Sequence, residues 1–243
     1  MDAQEGEWAG ISANVHGRCQ GCPRDPHKVP VLFEPKEPQK VDFVIVSQEP
    51  GHWLRSFDDG AKAKLLALSL GKGTLEEVKK ANPLSKVVQI FGPFDPSSSR
   101  IYWTHALKCV PEKGDRDVNK EWRKAATKCR EHFIGELKVL GRNEVNVLAF
   151  GKYALELCLN VLDGQDIDQE LSISEFMRLV KLPLVYKYRF KDGSMKNVNL
   201  YVFTNPSAEV VKVVKSGGKM TADGIQELEI KRIQDSLGTW KGH

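Results

Sequence analysis

Short apolar runs rich in β-branched residues alternate along this chain with stretches of helical period. Val41–Ser47 (VDFVIVS) predicts a strand that ends at Glu49-Pro50-Gly51. Ala61–Leu70 (AKAKLLALSL) predicts a helix closed by Gly71. Ile101–Leu107 (IYWTHAL) reads as a second strand. In Lys120–Val139, apolar positions recur every three and four residues, as in an amphipathic helix. Val145–Phe150 (VNVLAF) is a third buried strand, followed by a helix over Lys152–Leu162. Val185–Phe190, the turn Lys191-Asp192-Gly193-Ser194 and Val198–Thr204 form a hairpin whose second arm continues as a fourth core strand. Residues 215–224 read as a loop and Gln226–Leu237 as a terminal helix.

Strands separated by helices predict an α/β fold of three layers, α/β/α, with a central four-stranded, mostly parallel sheet and an added hairpin. No repeat or linker divides residues 1–243, so one domain is expected. Within it, residues 1–40 are an irregular segment and residues 205–243 a C-terminal loop and helix.

Composition narrows the class. The chain has 243 residues, 41% hydrophobic and 28% charged, which excludes disordered, collagenous and fibrous proteins. No run of eighteen apolar residues is present, and the N-terminus MDAQEGEWAG has no apolar signal core. The expectation is a soluble, cytoplasmic monomer with no membrane partner. A net charge of +4 is too small to argue for a nucleic-acid partner.

The five cysteines do not read as a disulfide framework. Cys19 and Cys22 form a C-x-x-C pair, which can reach a single metal or cluster, and Cys109 and Cys129 lie downstream. Two further thiolates would complete a four-sulfur site for zinc or for an iron–sulfur cluster. On spacing alone, Cys109 and Cys129 read equally as small buried side chains. Cys158, at helical spacing from Leu155 and Leu159, reads as core.

In a parallel sheet, sites form at the C-terminal ends of the strands. Here those ends carry Ser47-Gln48-Glu49-Pro50-Gly51-His52, Thr104-His105 with Lys108-Cys109, and Asn205-Pro206-Ser207. Taken singly, Glu-Pro-Gly and Asn-Pro-Ser are ordinary turn chemistry. Taken in order, SQEPG, THALKCVPEKGDR, a cysteine twenty residues later and NPS resemble the uracil-DNA glycosylase superfamily, most of all its iron–sulfur (family 4-type) members. The resemblance covers roughly residues 15 to 210. It implies a four-stranded parallel sheet between helices, and a [4Fe–4S] cluster held by Cys19, Cys22, Cys109 and Cys129, with zinc as the alternative occupant. It also implies DNA containing uracil or another damaged base as the partner.

Such an enzyme takes its base out of the duplex and stabilises an anionic leaving base beside a cationic sugar. The resemblance makes Glu49 the carboxylate that positions water and offsets sugar charge. Gln48 stands where family 4-type members carry Glu, and would act in catalysis or bind base or phosphate through its amide. Asn205, in place of the family's final-motif histidine, would donate to the departing base. His105 stands where the family has the asparagine that reads the uracil edge. Phe57 would stack on the base, with Trp53 as a second candidate. Gly51 replaces the tyrosine that blocks thymine's methyl group in the GQDPYH branch. Ser207, Lys212, Lys215 and Lys219 would contact the DNA backbone. A DNA-binding member of the same fold that has lost hydrolysis is the alternative, motivated by His105 and Asn205.

Overall fold

Five strands pair into one mixed sheet in the computed structural model, which describes residues 10–11, 22, 37–48, 101–108, 118–164, 173, 176 and 179–203, the side chains of 101, 103 and 118–124 excepted. In chain order the elements are β1 (Phe43–Ser47), β2 (Ile101–His105), α1 (Val118–Val139), β3 (Glu144–Phe150), α2 (Lys152–Leu162), β4 (Leu184–Arg189) and β5 (Met195–Phe203). Across the sheet the order is β2-β1-β3-β5-β4. β1 pairs parallel with β2 and β3, and β3 parallel with β5. β4 pairs antiparallel with β5. The fold is therefore α/β, and the hairpin arm expected as an addition is the fifth strand of the same sheet.

Residue alternation sorts the two faces. Val44, Val46, Val145, Val147, Ala149, Val198, Leu200 and Val202 join one core with Ala125, Phe133 and Leu137 of α1 and Ala154, Leu155 and Cys158 of α2. Cys158 is fully buried there, as its spacing predicts. The alternate positions Phe43, Ile45, Leu148, Phe150 and Phe203 are buried as well, with the Phe150 and Phe203 rings stacked at 5.3 Å. Near-continuous apolar strands are what a sheet buried on both sides requires.

Helix α1 buries Ala125, Cys129, His132, Phe133, Glu136 and Leu137 along one stripe, and the buried Leu140 follows just beyond its end. Lys196 of β5 closes that end: its ammonium donates to the carbonyls of Leu137 (2.6 Å), Lys138 (3.0 Å) and Leu140 (2.5 Å). These groups would otherwise lack partners at a helix terminus. Gly141 then turns the chain with φ 66°, its N–H donating to Pro38 at 2.8 Å. Turning there brings β3 directly alongside β1.

Predicted and observed boundaries differ where hydrogen bonding decides. β2 ends at His105 rather than Leu107, although the Ala106 and Leu107 N–H groups still donate to Ser47 and Gln48 carbonyls at 2.7 and 2.9 Å. β5 begins at Met195, three residues before the predicted Val198. The tight turn explains this: Phe190 donates to Ser194 and Gly193 to Phe190, both at 2.9 Å, while Asp192 accepts from the Ser194 N–H at 3.0 Å, so Arg189 pairs with Met195 at once. The expected helices Ala61–Leu70 and Gln226–Leu237, the loop 215–224 and nearly all of residues 1–36 lie outside the described residues. Among the described residues, no helix is long and apolar enough to cross a membrane.

Candidate functional site

The four parallel strands all end on one edge of the sheet. There Ser47 stands opposite His105 in the β1–β2 register, and the hydrogen bond from Leu107 to Gln48 carries the pairing one step further. The Ser47 hydroxyl reaches the Thr104 carbonyl at 3.4 Å. Of the residues singled out in the sequence, Gln48 and His105 thus lie at the ends of adjacent strands, Gln48 one residue past the Ser47–His105 pair. Gln48 is half-buried and His105 is 5% exposed.

Burial first, and then the nearby Lys108 ammonium, lower the His105 imidazole to about 3. The ring is therefore neutral at physiological pH and offers one donor and one acceptor. His105 thus holds no proton in reserve.

Immediately behind the edge, on the face toward α1, lies a buried polar cluster. Lys108 pairs with both oxygens of Glu136, at 2.7 and 2.8 Å, and both side chains are fully shielded from solvent. The Thr104 hydroxyl accepts from Lys108 and donates to Glu136 at 3.0 Å. Tyr102 is buried beside them, and burial followed by the Glu136 carboxylate holds its phenol well above the usual range. The Phe133 ring lies 6.0 Å from the ammonium. His132 is lowered to about 4, by burial and then by Lys108, with Lys128 adding to this and Glu131 opposing it. Burial pushes the Cys158 thiol up, against the pull of Lys108.

Glu136 was not among the residues expected to matter, since charges on an amphipathic helix normally face water. Its signal was positional: it falls on the same stripe as Ala125, Cys129 and Phe133. Lys196 carried the same kind of signal, alternating with Val198, Leu200 and Val202 on the buried face of β5.

Two of the four expected thiolate residues are described. Cys129 is buried on α1, and Cys22 is half-buried against the same core. Ile11 also reaches that helix, close to Gly135. Residues from the N-terminal segment thus pack on the core that contains the Cys129 helix. Neither described thiol is in a disulfide. Cys19 and Cys109 lie outside the described residues, as do Glu49, Gly51, Trp53, Phe57, Asn205, Ser207, Lys212, Lys215 and Lys219. No protein-family model matches the chain, and no curated protein matches it.

Proposed function

We propose that this chain is a DNA-repair N-glycosylase that hydrolyses the base–deoxyribose bond of an extruded, deaminated base, with uracil the first candidate. The observation that carries the reading is the β1–β2 register, which pairs Ser47 with His105 and so ends the strand of the first motif next to the strand of the second. The fold proposed with it is three-layered, with the four parallel strands at its centre. Burial of Phe43, Ile45, Leu148, Phe150 and Phe203 on the face away from α1 and α2 supports that arrangement.

In this reading His105 and Gln48 bind the polar edge of the base without ionising. Glu49, one residue beyond Gln48, positions the attacking water and offsets positive charge on the sugar, while Asn205 donates to the departing base. Phe57 stacks on the base, Gly51 leaves room around its 5-position, and Ser207, Lys212, Lys215 and Lys219 hold the backbone. Cys19, Cys22, Cys109 and Cys129 would hold a [4Fe–4S] cluster. The packing of Cys22 and Cys129, thiols from distant parts of the chain, on one core supports that assignment. When bound, the cluster would tie the N-terminal segment to α1 and would take no part in hydrolysis.

Brown, anaerobically purified protein is expected to excise base from a uracil-containing oligonucleotide, giving strand breaks after alkali. Glu49→Gln is expected to slow excision by roughly 10²–10⁴, the usual worth of a positioned base. Absence of excision across a panel of uracil, hypoxanthine, xanthine and thymine opposite guanine would refute the enzymatic reading. The burial and neutrality of His105 favour one alternative, a binder without turnover. Retention of uracil-DNA or abasic DNA in gel shift, with no cleavage, would identify it.

A further inference from the structure

The Lys108–Glu136 pair is used by no step of the proposed reaction, and stability alone does not account for it. Removing two charges from water costs several kcal/mol per ion, and well-packed apolar replacements of such pairs are often neutral or stabilising. What the pair does uniquely is geometric. Lys108 lies three residues beyond His105 in the chain leaving β2, and its ammonium reaches both back to Thr104 and across to Glu136. The intervening Ala106 and Leu107 are fully buried and hydrogen-bonded through their N–H groups to β1. Glu136, in turn, stands two helical turns from Cys129 on the same buried stripe of α1. One ion pair therefore fixes the strand exit that holds His105 to the helix that holds Cys129.

We propose that Lys108 and Glu136 are positioning residues, a buried clamp that sets the β2 exit with His105 at a fixed place against the Cys129 stripe of α1. A hydrophobic contact could supply the same burial but not the same directionality: Glu136 Oε2 accepts from both the Lys108 ammonium and the Thr104 hydroxyl while Oε1 stays in ion-pair contact with Lys108, so sliding of α1 along the sheet breaks these contacts together. The clamp itself is read from the described residues. Its consequence for a thiolate-held cluster rests on the proposed function.

The test compares the wild-type protein with Lys108→Met/Glu136→Leu, which replaces the pair by apolar side chains of similar volume, and with Glu136→Gln, which keeps the shape and one acceptor. Three quantities are measured on each: the urea midpoint, the ring ¹H–¹⁵N signals of His105, and the rate of iron loss to a chelator. The double variant is expected to unfold at or above the wild-type midpoint, yet to shift or broaden the His105 ring signals. It is also expected to lose iron about tenfold faster, the scale on which supporting interactions tune metal sites. Glu136→Gln is expected to move the ring signals and iron loss the same way, and it supplies the answer if the double variant fails to fold. Unchanged His105 signals together with unchanged iron retention in a folded variant would overturn the clamp. Wild-type protein that binds no iron would instead refute the cluster, leaving the ring signals to decide the clamp.

Discussion

Replacing Gly141 by alanine tests how closely the end of α1 is fitted to the sheet. A Cβ at this position would lie 2.8 Å from the Glu144 carbonyl oxygen and 2.9 Å from that of Val41, both backbone atoms. Neither can withdraw cheaply, because Val41 and Glu144 flank the β1–β3 pairing. The residue also sits at φ 66°, which costs a non-glycine residue about 1–2 kcal/mol. Gly193, in the β4–β5 turn, provides the control: its φ is 86°, but a Cβ there meets nothing within 4 Å. Gly193→Ala should therefore cost only the conformational term, about 1–2 kcal/mol. Gly141→Ala should cost that and a backbone displacement of about 1–3 kcal/mol together, about 2–5 kcal/mol in all. Urea unfolding at constant m-value reads the difference. Equal losses for the two variants would refute the close approach at Gly141.

Two further outcomes concern buried ionisable groups. Lys196 is lowered from 10.5 to about 8 by burial, so between these values the unfolded chain binds the extra proton and stability rises with pH. Lys196→Met should abolish that contribution in paired urea titrations from pH 7 to 10, and at pH 7 should cost about 2–4 kcal/mol by leaving carbonyls at the end of α1 without a donor. A wild-type and a variant curve of the same slope would contradict this. His105, lowered from 6.5 to about 3, contributes stability that is complete above pH 6.5 and is lost as pH falls toward 3. By pH 5 the loss from this residue is about 2 kcal/mol, and His132 acts in the same direction. In His105→Gln the acid-side slope should be shallower; an unchanged slope would mean the imidazole is not held neutral by the fold.

Periodicity made the sheet legible. β-branched runs found β1 and β3, and the three-and-four spacing found α1 and α2, because burial of one face is what those patterns record. The gathering of the Ser47-Gln48 and Thr104-His105 segments at one end of the sheet was legible through the rule that parallel strands end together, whereas the strand order had no signature in the sequence. The start of β5 was missed because Met195, Lys196 and Asn197 are polar or exposed in pattern, whereas the Asp192–Ser194 turn dictates the pairing. The polar cluster behind the edge was missed for a different reason. Glu136 lies 28 residues from Lys108 and 32 from Thr104, and reads alone as a solvated helix charge; their partnership exists only in three dimensions.

The place of β1 in the sheet has a consequence for synthesis of the chain. β1 emerges well before β3 but lies between β2 and β3, and the Asn146 amide reaches the Asp42 backbone from 104 residues away. At ribosomal speeds of 5–20 residues per second, the ridge Phe43–Val46 waits about 5 to 20 s for its β3 neighbour. During that wait its backbone edges and apolar side chains are open to wrong partners, so production of native protein should depend on chaperone capacity more steeply than its final stability would suggest.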